Sequence, residues 1–130
     1  MGKFVAAFED AINKQLTAEM NLKNHFPQSY GIFRSEIKKY VGHSTIDDIS
    51  KTLGKREVTL AYNGGNCLVY ELCRHLRNSF CHLLLEISED MVIVRDKSRG
   101  SKLSSDGCLN KDTLIRFIKS VITEYEESFQ

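Results

Sequence analysis

Arg74, His75, Arg77 and His82 fall within one short stretch of the chain, with Asn78 between them. An imidazole can take or give a proton near neutral pH, and a guanidinium can hold two oxygens of an anion at once. The set therefore suits proton transfer beside a bound oxyanion. On an ideal helix of about 100° per residue, Leu68, Val69, Leu72, Cys73, Leu76, Phe80, Leu83 and Leu84 fall on one arc, and Cys67, Tyr70, Glu71, Arg74, His75, Arg77, Asn78, Cys81 and His82 fall on the other. Two of the four histidines sit on the polar arc and no lysine does, whereas an ordinary solvated helix face favours Lys and Glu. Arg77 and His82 are five residues apart, so a straight helix points them about 140° from each other. Either the helix ends between them or a second copy of the chain completes the site.

The element that must carry these residues is a long central helix over 67–83, set off by the Asn63-Gly64-Gly65-Asn66 break. Upstream, Phe4, Phe8, Ile12, Leu16 and Met20 recur at every fourth position, the stripe of an amphipathic helix over 3–23. A second helix, after Pro27, is expected to end near Gly42, and a short one to start at a Ser44 cap with Asp47 in its first turn. Downstream, the apolar stretches 83–87 and 91–94 read as a small hairpin around Ser88, Glu89 and Asp90. The Ser-, Gly- and Lys-rich stretch 95–107 reads as a loop. A last helix then starts at an Asn110 cap flanked by a Leu109–Leu114 staple. This pattern predicts a mainly α fold: one domain over 1–130, a four- to five-helix bundle with a small β-hairpin before the C-terminal helix.

Charge and composition narrow the function. Lys and Arg number 18 against 17 Asp and Glu, for a net charge of +1. That balance excludes a broad electrostatic footprint on nucleic acid or an anionic membrane, while leaving room for a local anion site. Arg95, Lys97, Arg99 and Lys102, opposed only by Asp96, form such a local excess and are candidate contacts for an anionic chain. The first ten residues include acidic side chains and no continuous apolar run, so a cytoplasmic location without a membrane anchor is expected. The four cysteines form no CxxC pair and are expected to be reduced.

The stretch Leu76-Arg77-Asn78-Ser79-Phe80-Cys81-His82 resembles the Arg-x4-6-His signature of HEPN domains. The resemblance in order of elements covers most of the chain and is specific over residues 72–82. It implies a HEPN-like helical bundle acting as a homodimer. It also implies metal-independent RNA cleavage, in which the ribose 2′-hydroxyl attacks the adjacent phosphate, with a toxin-like or defence role and an antitoxin or regulatory protein as partner. On this reading Arg77 clamps the phosphate, His82 is the general base and Asn78 supports them. Arg74, His75, Tyr70 and Glu71 line the cleft, and neither metal nor cofactor is needed. Cys81 and Leu83 flank His82 where family members carry a small residue and Gly, which places His82 in a continuing helix or a strand start.

Two other chemistries fit less well. A zinc site from Cys73, His75, Cys81 and His82 has suitable ligand types, but the helical wheel sets Cys73 on the core side. A Cys–His nucleophile pair lacks a spaced orienting residue. The main alternative is a non-catalytic module of the same fold that binds RNA, a nucleotide or a protein partner.

Overall fold

The computed structural model describes residues 6, 8–10, 12, 23–49, 51, 58–61, 68–98 and 102–128. Residues 6, 8–10 and 12 are helical, and Phe8 and Ile12, one turn apart, are buried. The rest of that expected stripe lies outside the described residues. Pro27 occupies the first helical turn, where an amide donor is not needed, and opens α1 (Pro27–Ile32). The helix runs on through a π-helical turn (Phe33–Ile37) and a 3-10 turn (Lys38–Tyr40).

The strands and helices that follow are β1 (Val41–Ser44), α2 (Ile46–Ile49), β2 (Val58–Ala61), α3 (Leu68–Cys81), β3 (Leu85–Ser88), β4 (Met91–Lys97), β5 (Leu103–Asn110) and α4 (Lys111–Ser128). Thr45 closes the start of α2: its hydroxyl donates to the Asp48 carboxylate and its carbonyl accepts the Asp48 amide. The cap is thus one residue later than the expected Ser44. At α4 the expected cap is found. Asn110 Oδ1 accepts the Thr113 amide at 3.1 Å, and Leu109 and Leu114 are both buried beside it.

The strands form one five-stranded sheet in the order β1-β2-β5-β4-β3. β1 runs parallel to β2 and the other neighbours are antiparallel. The fold is therefore α/β with a mixed sheet, and the expectation of a mainly α, four- to five-helix bundle is overturned. Of its strand pairs, the sequence pattern predicts the β3–β4 hairpin alone. The Ser, Asp and Gly content of 103–107 suggests a loop, yet β5 lies between β2 and β4 and bonds to both. Ser104, Ser105, Asp106 and Gly107 are all buried there. The expected basic loop over 95–107 is thus largely strand, with β4 running to Lys97 and β5 starting at Leu103, and the Ser98 amide bonds the Lys102 carbonyl at 2.7 Å.

One apolar core joins a face of the sheet to the helices. Val58, Leu60, Val92, Val94 and Leu109 meet Val69, Leu72 and Leu76 of α3, Phe117 and Val121 of α4, and Phe26, Phe33 and Ile37 of the N-terminal region. Full burial of each such side chain is worth roughly 1.5–3 kcal/mol. A buried carboxylate fixes how α4 meets α1: Glu124 accepts the amides of Gln28 at 3.0 Å and Ser29 at 2.7 Å, and the Ser29 hydroxyl at 2.7 Å. An anion there satisfies donors at the helix N-terminus and complements its dipole. Among the described residues no helix is long and apolar enough to cross a membrane.

Candidate functional site

Glu71, His75, Asn78 and His82 occupy one stripe of α3 and the turn after it, at spacings of four, three and four residues that keep them within about 60° of arc. The stripe meets β4 at its far end. Side chains of a strand alternate between faces, so Asp96 shares the core side with Val92 and Val94, and all three are buried. Asp96 is the residue around which the site is built.

Asp96 Oδ2 lies 2.8 Å from His75 Nδ1 and accepts the Asn78 side-chain amide at 2.9 Å, while Oδ1 accepts the Lys97 backbone amide at 2.8 Å. On the other side of the ring, His75 Nε2 is 3.2 Å from an Arg74 guanidinium nitrogen. A guanidinium has no acceptor. Nε2 faces both that donor and, at 3.5 Å, the Glu71 Oε2 acceptor, while Nδ1–H donates to Asp96. Arg74 is held in turn by Glu71 Oε2 at 2.8 Å. The result is a chain of partners from Glu71 through Arg74 and His75 to Asp96 and Asn78, buried at Glu71, His75 and Asp96 and half-buried at Arg74 and Asn78. Burial pushes the Asp96 carboxyl upward, but the hydrogen bonds from His75, Asn78 and the Lys97 amide outweigh it and hold the group below its ordinary value. Ser79 adds a pin between the two elements, its hydroxyl lying 2.9 Å from the His75 carbonyl and 2.5 Å from the Arg95 carbonyl.

α3 ends immediately beyond this cluster. The Leu84 amide bonds the Ser79 carbonyl at 2.9 Å and the Leu83 amide bonds the Phe80 carbonyl at 3.4 Å, the two bonds of a Schellman stop. Leu83 takes the left-handed position with φ 55°, where glycine is the usual residue. The expectation of a continuing helix or strand start at His82 is thereby corrected: the helix stops without Gly. His82 is the capping residue, exposed, and its ring makes no hydrogen bond or ion pair among the described residues.

The other expected site residues are scattered. Arg77 points away from the Asp96 stripe and donates to Glu9 Oε1 at 3.2 Å. No hydrogen bond or ion pair joins it to His82 or Asn78. Tyr70, expected on the polar arc, packs against the core. Arg95 belongs to β4 and faces the opposite side from Asp96, with its Nε 3.0 Å from Asp106 Oδ1 and Glu86 3.9 Å away. It is therefore not a free loop cation. Lys97 is exposed at the end of β4, and Lys102 is exposed and 3.7 Å from Asp47. Arg99 lies outside the described residues. Cys73 is buried in the core and Cys81 is exposed, and no group of three or more His, Cys, Asp or Glu among the described residues is arranged to hold a metal.

Asp96 escapes the helical spacing, and the apolar alternation that marks the strand over 91–94 stops at Val94. Two further residues of alternation would have placed Asp96 inward. Asp106 is missed because the Ser- and Gly-rich composition of 103–107 suggests a loop; it is buried, with Oδ2 lacking a hydrogen-bond partner among the described residues. Comparison of the chain with protein-family models, with curated proteins and with solved structures gives no match.

Proposed function

We propose that the chain is a metal-independent endoribonuclease whose site is completed by a second copy, with His82 as general base and Arg77 as phosphate clamp. The observation that carries this reading is the exposed His82 ring, without a hydrogen-bond or ion-pair partner among the described residues, on the turn that ends α3 and on the same stripe as Asn78, whose amide is anchored by Asp96. A free imidazole there can take the 2′-hydroxyl proton as that oxygen attacks the adjacent phosphorus. A guanidinium clamps the phosphate oxygens as charge builds, and a second imidazole protonates the departing 5′-oxygen. The Arg77-Asn78-x3-His82 resemblance to HEPN domains supports the same assignment. Because Arg77 and His82 diverge on α3, the clamp and base acting on one phosphate come from different copies. RNA is selected because DNA lacks the nucleophile.

The test is incubation of RNA with excess purified protein in EDTA, followed by identification of the new ends. Cyclic phosphate termini that vanish in Arg77→Ala and in His82→Ala support the reading. Identical fragmentation by the double variant overturns it.

A second reading is favoured by the Arg77–Glu9 ion pair and the Asn78–Asp96 bond, which give both residues structural work. In that case the chain is a non-catalytic module that binds RNA, a nucleotide or a protein. Its mark is salt-sensitive retention of intact RNA by wild type and by His82→Ala alike.

A further inference from the structure

On the helix-bearing face of the sheet, a groove of about 520 Å³ opens between the end of α3, the β3–β4 hairpin and α4. Its floor is apolar, with Val92, Leu114 and Ile118 buried beneath it. Its walls expose large hydrophobic side chains: Leu83 at 82%, Ile87 at 68% and Ile115 at 39%. Leu83 carries its isobutyl group into solvent from a left-handed backbone position that a glycine would occupy without strain. Strain and exposure at one residue together point to a use for that side chain.

The groove's charge says what fits it. Among the described residues its ionisable lining side chains are Lys111 and Lys119, and neither makes a side-chain hydrogen bond or ion pair with another described residue. Eight residues of helix separate them, about 12 Å along the axis of α4. Two copies meeting groove to groove would gather four lysines at an apolar interface with no lining carboxylate among the described residues to answer them, so the surface complements an acidic partner better than itself. We infer that it docks an acidic amphipathic helix of a partner protein, with the apolar face over Leu83, Ile87 and Ile115 and carboxylates reaching Lys111 and Lys119. This does not depend on the ribonuclease reading. Where both hold, the docked helix lies next to His82 and restricts access to it.

The experiment uses a fluorescein-labelled helical peptide of about five turns, with leucines at i, i+3, i+4 and i+7 and glutamates on both flanks, and a counterpart with lysines in place of the glutamates. Fluorescence anisotropy with the full chain should show binding of the glutamate peptide that weakens with salt, and clearly weaker binding of the lysine peptide. Leu83→Gly, which relieves backbone strain and preserves the fold, should weaken binding roughly tenfold. Lys111→Glu with Lys119→Glu should weaken it several-fold and restore the lysine peptide. Equal affinity for both peptides, no saturable binding, or unchanged affinity in Leu83→Gly overturns the proposal. So does sedimentation showing a wild-type dimer that Ile87→Asp turns into a folded monomer, since a second copy would then cover the groove.

Discussion

His75 Nδ1 and Asp96 Oδ2 lie 2.8 Å apart across the junction of α3 and β4, both residues buried, and the same oxygen also accepts the Asn78 amide at 2.9 Å. One carboxylate thus satisfies donors from two turns of the helix and ties them to the sheet. Asp96→Ala leaves the buried His75 Nδ1–H without its acceptor and unties the half-buried Asn78 amide from the sheet. It should cost about 2–4 kcal/mol in urea unfolding, with Asp96→Asn falling between it and wild type. A loss below about 0.5 kcal/mol for the alanine variant would show that the bonds are not maintained in solution.

The same carboxyl makes stability depend on acid. Burial raises its proton affinity, but the bonds from His75, Asn78 and the Lys97 amide more than offset this, so the native group protonates at lower pH than the unfolded one. Such a group stabilises the fold fully above the unfolded value of about 3.9 and loses that contribution as pH falls toward the native value. The slope between the two is at most about 1.4 kcal/mol per pH unit. Urea titrations of wild type and Asp96→Asn should differ by a constant amount from about pH 5 to pH 7 and converge below about pH 4. A difference that stays constant down to about pH 3 contradicts the assignment.

Leu83 is the only large hydrophobic side chain among the described residues to pair a left-handed backbone, φ 55°, with exposure above four-fifths. The left-handed position costs a non-glycine residue about 1–2 kcal/mol, and glycine gives back part of this through its looser unfolded chain. Leu83→Gly should therefore raise stability by roughly 0.5–1 kcal/mol, or a few degrees of Tm. Leu83→Ala keeps the strain and should change little. Equal effects from the two variants would place the cause in side-chain contacts.

How far these features were legible in the sequence follows from what each one rests on. α3, α4 and the Asn110 cap rest on contacts within a few residues, and periodicity with capping chemistry finds them. β1 and β2 are four residues each, too short for alternation to register. β5 is stabilised by strands on both sides, so neither Ser104 nor Asp106 needs strand propensity of its own. Its Asp106 is answered by Arg95 from the neighbouring strand, a residue that composition alone assigns to a basic loop. The helical wheel correctly groups Glu71, His75 and Asn78, but it equates polar with solvated. Glu71 and His75 are buried because Arg74 and Asp96 satisfy them, and Asp96 is 21 residues from His75.

The cap of α4 offers a local check. Asn110→Ala removes the acceptor for the Thr113 amide and should cost about 1 kcal/mol. Asn110→Asp or Asn110→Ser should retain most of that stability. Since Leu109 and Leu114 flank the cap in the core, a much larger loss in the alanine variant would mean that the helix start also sets the staple.

Arg77 separates a structural role from a chemical one. Its pair with Glu9 at 3.2 Å is about one-third exposed on the arginine side, so a double-mutant cycle should give a coupling below about 1 kcal/mol. If Arg77 clamps a phosphate, Glu9→Gln frees the guanidinium and should leave RNA cleavage intact or raise it. Arg77→Lys keeps the charge, loses the two-pronged geometry and should lower cleavage about tenfold or more. His82→Ala should abolish cleavage without changing the urea midpoint, because its ring has no partner to lose among the described residues. If Glu9→Gln and Arg77→Ala instead depress stability and cleavage in parallel, the arginine acts by holding the N-terminal helical segment against α3 and the clamp lies elsewhere.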